Sequence, residues 1–279
     1  MIVAFLALNL FLLYHFLEPG WGGIEDVITF EEQQRMENMI AENNYTLEAD
    51  IPVSPEKSYF LTVTAPQEEV SRLKDLFFGD EPVDTIEADG GVTYSSETAT
   101  LFVQNNGFFS YIKRESSPLE DPGDKNFDEQ VALEVSRVFL QEKELLNEDI
   151  GKYEIKKSSD NIFEVIIYEE YEGIPLFSGY TKLIIKNNKV SEASFYRPRI
   201  VGVEDRQEMQ VIPATVAIMR LIEELGQSER AKAISDVSQG FYSREYEAEE
   251  WEVSPVWRII IEREQYYINA FTGNIENKD

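Results

Sequence analysis

The sequence predicts an α+β protein: one N-terminal transmembrane helix, then two extracytoplasmic lobes of antiparallel sheet with helices packed on one face. Three observations predict it. Met1 to Leu17 (MIVAFLALNLFLLYHFL) carries no charged side chain. The 279-residue chain as a whole is acidic, with 53 Asp and Glu against 25 Lys and Arg, yet 43 % of it is hydrophobic and 12 % aromatic, enough for a sizeable core. Three times, a stretch of helical period is followed by strands that close in a hairpin, with helix starts near Phe30, Phe127 and Pro213.

The first element is the anchor, 1–21. At ~1.5 Å of rise per residue the apolar run makes a helix of roughly 25 Å, and extension to the interfacial Trp21 brings it to the ~30 Å of a hydrocarbon core. A cleaved secretory signal is the rival reading. It is disfavoured because the run has no basic n-region before it and no small-x-small site after it, only Glu18-Pro19-Gly20-Trp21. Export of the acidic bulk makes a cell-membrane protein with its C-terminal part outside the expected topology. Residues 22–29, with Gly22 and Gly23, read as a short stalk.

The N-terminal lobe is expected over 30–114. Thr29 is a candidate cap for a helix from Phe30 to about Asn43, with Met36, Met39 and Ile40 as its apolar stripe. Strands follow at Tyr45 to Ile51 and Tyr59 to Val63, then a short helix, Gln67 to Phe77, with Val70, Leu73, Leu76 and Phe77 at helical spacing. Thr98 to Val103 and Phe108 to Ile112 flank Asn105-Asn106-Gly107, a strong hairpin signal. A linker is expected at 115–125 (ESSPLEDPGDK).

The C-terminal lobe, 126–279, holds two helix-plus-hairpin units. Asn126 is expected to cap a helix from Phe127 to Leu146 that buries Phe127, Val131, Val135, Val138 and Leu145. Strands at Tyr153 to Lys157 and Ile162 to Tyr168 come next, then the turn Tyr171-Glu172-Gly173-Ile174-Pro175, and a hairpin reversed at Asn187-Asn188. Pro213 and Gly226 bracket a helix with Val216, Met219, Ile222 and Leu225 inward. Val256 to Ile261 and Tyr266 to Ala270 close the fold as an antiparallel pair.

The same residues exclude much chemistry. A formal charge of −28 removes the basic footprint that nucleic acid demands. Cysteine is absent, and the single histidine, His15, falls inside the expected span. Serine-hydrolase triads and HExxH metalloproteases therefore have no imidazole to use. Asp124, Asn126 and Asp128 start like a calcium loop, but Glu129 stands where glycine is required and Val135 where the bidentate Glu should be. Neither a cofactor nor a metal site nor a catalytic residue is expected. A carboxylate-pair hydrolase is the remaining enzymatic reading, and nothing in Glu169, Glu170, Glu172, Glu247, Glu249, Glu250 or Glu252 gives a reason to pair two of them.

The span ending LNLFLLYHFLE, the Tyr171-x-Gly173-x-Pro175-x-Phe177 turn, the helix Ala214 to Leu225, Ser254-Pro255-Val256-Trp257-Arg258 and the closing Tyr267-Ile268-Asn269-Ala270-x-Thr272-Gly273 together resemble the YycI (WalI) family. The resemblance covers essentially the whole chain, and the Tyr-x-Gly-x-Pro and Asn-Ala-x-Thr-Gly elements are similar to PepSY-type units as well. It implies a non-catalytic, single-pass regulator of the WalK (YycG) sensor histidine kinase in Gram-positive cell-wall homeostasis, working with a YycH-like protein. A PepSY-like peptide-binding or protease-inhibiting module at the cell surface is the alternative. Family members carry a short basic tail before the span; here Met1 opens straight onto Ile2.

Within the span, Asn9 is the residue most able to specify a helix partner, since interhelical hydrogen bonds of an amide are worth roughly 0.6–2 kcal/mol in a bilayer. With Leu6, Leu13 and Phe16 it makes one helical face, the expected partner-binding surface. Tyr171, Gly173, Pro175 and Trp257 are turn and core residues in one reading, and the wall of a binding groove in another.

Overall fold

The computed structural model describes residues 30–52, 58–66, 68–114, 127–146, 150–159, 161–203, 209–244 and 248–278. The expected anchor, the stalk and the 115–125 linker lie outside them. Among the described residues no helix is long and apolar enough to cross a membrane.

The chain is α+β and mostly sheet. Among the described residues, four helices, α1 (Phe30–Glu42), α2 (Val70–Phe78), α3 (Glu129–Glu142) and α4 (Ala214–Leu225), punctuate fifteen strands. These are β1 (Tyr45–Leu47), β2 (Leu61–Thr64), β3 (Asp84–Ala88), β4 (Gly91–Ser95), β5 (Ala99–Gln104), β6 (Phe109–Lys113), β7 (Tyr153–Ser159), β8 (Ile162–Tyr171), β9 (Ile174–Lys186), β10 (Lys189–Tyr196), β11 (Arg199–Val203), β12 (Lys232–Tyr242), β13 (Glu250–Ile261), β14 (Glu264–Asn269) and β15 (Ile275–Lys278). The main path of hydrogen-bonded neighbours runs β11-β2-β13-β12-β9-β10-β6-β5-β4-β3. The pairing is antiparallel except where β12 meets β1 and β9, both parallel.

Turn chemistry sets the registers. Glu172 and Gly173 both adopt positive φ, 51° and 81°, so Tyr171 faces Ile174 across a two-residue turn whose twist suits the hairpin. Asn187 and Asn188 do the same at 49° and 59° between β9 and β10. Period-two burial follows: β8 turns Phe163, Val165 and Ile167 to one side, as its alternation predicts.

Two cores form. In the first, α2 and α3 cover β5, β6, β8, β9 and β10, with Phe109 stacked on Phe195 at 4.4 Å. In the second, α1 and α4 cover β12, β13 and β14, burying Met36, Ile40, Ile218, Trp257 and Ile259. The segment from α1 to β2 therefore sits with the C-terminal strands: β1 pairs with β12 and β2 with β13. Long-range strand pairing of this kind leaves no local periodicity in the sequence.

Two buried helix faces match expectation in part: Leu145, Ile222 and, at the edges of the cores, Phe127, Val135, Met219 and Leu225 pack inward as expected. On α3 the innermost residues are Ala132, Ser136 and Leu140, while Val138 is 43 % exposed. On α4 they are Ala214, Thr215, Ala217, Ile218, Leu221 and Ile222. Small side chains let the helix axis approach the sheet closely, so the packed stripe is not the one with the bulkiest residues. The cap of α3 is Asp128, whose Oδ1 accepts the Val131 N–H at 2.9 Å, and not Asn126, which lies outside the described residues.

Candidate functional site at the junction of the two cores

The two halves of the sheet are joined between β9 and β12 by one residue pair, Leu176 with Phe241. Their bare faces, those without helices, fold toward each other over Tyr168, Phe177, Tyr242, Val256 and Tyr267. Phe177 can enter because of Gly240: a Cβ at that position would stand 2.3 Å from Phe177 Cε2 and 2.7 Å from the Pro175 carbonyl oxygen. A side chain at 240 would prise the halves apart.

Alternation along β13 then decides what lies beside Phe177. Trp257 points into the second core, fully buried, its indole N–H donating to the Ile212 carbonyl at 2.8 Å. Its neighbour Arg258 must point the other way, and it is only 5 % exposed. A buried guanidinium needs partners. Arg258 reaches across the junction to ion-pair with Glu154 of β7 and donates to the Tyr168 hydroxyl at 3.1 Å. On its own side it pairs with Asp236 Oδ2 at 3.0 Å, and its Nε donates to Ser238 Oγ at 3.2 Å. Its plane lies 4.3 Å from the Phe177 ring centroid, a cation–π contact.

The charges follow this packing. Burial works against the Arg258 cation, but Glu154, Tyr168 and Asp236 more than offset it, and the group is held charged more firmly than an exposed arginine. Burial, and then the Glu154 carboxylate, push the Tyr168 hydroxyl well above the ordinary tyrosine range, with Arg258 opposing. Tyr111 and Tyr45 are raised too, in both cases first by burial. Lys143 moves down through burial, although it donates to the carbonyls of Leu76 and Phe77 at the end of α2.

A linkage follows. The tyrosines of the unfolded chain ionise near pH ~10 while the folded ones stay protonated, so the native state holds more protons there and stability falls as pH rises. The tyrosine contribution is fully present below pH ~10 and lost above it. The Tyr168→Phe variant is expected to flatten that alkaline loss in denaturant titrations between neutral pH and pH ~11.

Above the Arg258 network opens a cleft of about 430 Å³ bordered by Tyr153, Glu154, Gly173, Pro175, Phe177 and Asp236. Gly173 and Pro175 thus sit at its wall, while Trp257 is a core residue and Tyr171 packs edge-on against Tyr59 at 5.9 Å. Of the acids considered for hydrolysis, Glu247 lies outside the described residues, and the three before the Tyr171 turn have separate partners. Glu169 pairs with Arg197 at 2.7 Å, Glu170 accepts from the Lys152 N–H at 2.8 Å, and Glu172 accepts from the Tyr59 hydroxyl at 3.0 Å. Among the described residues no group of three His, Cys, Asp or Glu is placed to hold a metal ion. Leu6, Asn9, Leu13 and Phe16, the expected partner-binding face, lie outside the described residues. Sequence reasoning found Arg258 only as part of a motif. Its partners Glu154 and Asp236 stand 104 and 22 residues away.

The fold has a solved counterpart. A crystal structure of an uncharacterized protein from Eubacterium rectale matches with a TM-score of 0.57 at 11 % identity, over 88 % of this chain and 98 % of that one. The C-terminal domain of YpeB from Bacillus megaterium matches with a TM-score of 0.40 at 14 % identity, over 77 % of this chain and 98 % of that one. No curated protein matches the sequence. The model of the YycI protein family matches residues 25–271. That match takes in both cores and the Arg258 junction, and the chain belongs to the YycI family.

Proposed function

We propose that this chain is a non-catalytic, membrane-anchored regulator of a WalK-type sensor histidine kinase that controls cell-wall homeostasis, acting with a YycH-like partner. The observation that carries this reading is the family match over residues 25–271, nearly the whole chain. The junction is consistent with it: the Arg258 cation is committed to Glu154, Asp236, Tyr168 and Ser238, an arrangement suited to holding two sheets together. Residues 1–21 span the bilayer in this reading, with the remainder outside the cell. Pairing through Leu6, Asn9, Leu13 and Phe16 then needs only modest energies, because partners confined to one membrane meet at high effective concentration.

Co-purification from membranes tests it. The full chain is expected to bring down the kinase and the YycH-like protein, and loss of residues 1–21 to remove most of both. An undiminished complex without those residues would sink the helix-pairing mechanism. The cleft beside Gly173 and Pro175 favours a second reading, a PepSY-like module that holds a peptide or inhibits a protease at the cell surface. That reading requires the purified full chain to inhibit a secreted protease, and it fails if proteolysis runs at an unchanged rate.

A further inference from the structure

The strand β3 ends the main path of the sheet and pairs, among the described residues, with β4 alone. Its other edge presents a row of backbone N–H and C=O groups, the feature that natural sheets usually blunt with lysine, proline or a bulge. β3 has no lysine, proline or bulge, and its guards are two carboxylates, Asp84 and Glu87, which repel an acidic strand but not a basic one: it reads Asp84-Thr85-Ile86-Glu87-Ala88, all five residues are exposed, and Ile86 at its centre is 63 % exposed. Register places Glu87 beside Val92 and Val103, the ladder that leads under α2. Between that helix and the β3–β4 hairpin lies a cleft of about 390 Å³ lined by Val70, Leu73, Glu87, Ala88, Val92 and Val103. An apolar side chain arriving along the β3 edge has a place to go on one face, and Ile86 to cover on the other.

The charge of this corner identifies the occupant. From Asp75 to Ile112 the chain carries seven carboxylates, Asp75, Asp80, Glu81, Asp84, Glu87, Asp89 and Glu97, and no lysine or arginine; of the cations that flank this stretch, Arg72 is paired with Glu68 and Arg114 donates to Thr100, so acid dominates the corner. A second copy of the chain would bring like charge to like charge, since each copy is −28. We propose that the β3 edge is a docking site for an extended, basic segment of a partner protein, which adds to the sheet as a further strand. Main-chain hydrogen bonds supply the affinity of such strand addition, and alternate side chains its selectivity. Lysine or arginine of the added strand meets Asp84 and Glu87, and its β-branched residues lie over Ile86 and at the mouth of the Val70–Val92 cleft. The inference stands on this edge alone and is independent of the kinase reading.

The probe is a fluorescein-labelled decapeptide in which pairs of lysines alternate with valine-threonine pairs, so that each face of the added strand carries both kinds of side chain, titrated against the full chain in detergent micelles. Three peptides are compared: the probe, its glutamate counterpart, and the probe with alternate backbone amides N-methylated along one edge. Binding of the first is expected to weaken about tenfold on N-methylation, and as much in the Asp84→Lys/Glu87→Lys variant, whose exposed positions leave folding intact. Amides of residues 84–88 are expected to gain protection from hydrogen exchange only with the unmodified probe. Binding that ignores N-methylation, or that leaves those amides unprotected, would be general attraction to an acidic surface and would overturn the proposal. So would equal binding of the glutamate peptide, or self-association of the chain through β3.

Discussion

Replacing Trp257 with alanine is expected to lower the unfolding free energy by about 4 kcal/mol, the range for a fully buried aromatic. The indole is the largest side chain in the interior, wedged between β13 and the loop entering α4, and it donates to the Ile212 carbonyl. Truncation leaves a cavity and an orphaned acceptor together. The loss is read from the midpoint of urea unfolding at unchanged slope, and Trp257→Phe, which keeps most of the apolar volume, should recover more than half of it. A variant as stable as the parent would contradict the second core described above.

One residue further along β13, the Arg258→Met variant is expected to cost about 3 kcal/mol for a different reason. The low end of the range for breaking a buried ion pair applies because Glu154 and Asp236 keep some contact with water. Methionine preserves the apolar contact with Phe177 but abandons two carboxylates. The Arg258→Met change in a Glu154→Gln background should therefore cost less than in the parent, a coupling measurable by a double-mutant cycle. Additive losses would mean that Arg258 acts through packing alone and that the junction is not an electrostatic tie.

These neighbours show what the sequence could reveal. Trp257 was legible as a core residue from its type, and Val256 to Ile261 as one strand of the closing antiparallel pair. The hairpins at Asn105-Asn106-Gly107 and Asn187-Asn188 were legible because left-handed turn residues leave a local signature. Helix ends at Pro213 and Gly226 were visible because proline fixes φ for the start of a helix and glycine permits the positive φ that ends it. The inward faces of α3 and α4 were less so: Ala132, Ser136 and Ala217 are buried because they are small, a property that a search for bulky residues passes over.

The β3–β4 hairpin had a signal, Asp89-Gly90, obscured because β3 is exposed and β4 half-buried at every position, so neither shows period-two burial. β12 was hidden by Ser235, Asp236, Ser238 and Gln239; Asp236 and Ser238 are polar because the bare face carries part of the Arg258 network, and Ser235 lies at a break in register. The crossing of β1 and β2 onto β12 and β13, and the meeting of Glu154 with Arg258, depend on long-range pairing that no local pattern encodes. A single arginine after Trp257 gave no hint of its partners, although a lone cation within an apolar run is itself a sign that a carboxylate must be brought to it.

The most direct measurement of the central claim is the autophosphorylation rate of the WalK-type kinase in lipid nanodiscs, alone, with its YycH-like partner, and with both that partner and this chain. A regulator is expected to shift the rate about fivefold or more in one direction, the low end of ordinary allosteric coupling, and Asn9→Leu to reduce that shift. An identical rate in all three preparations, with every protein confirmed in the same disc, would contradict it.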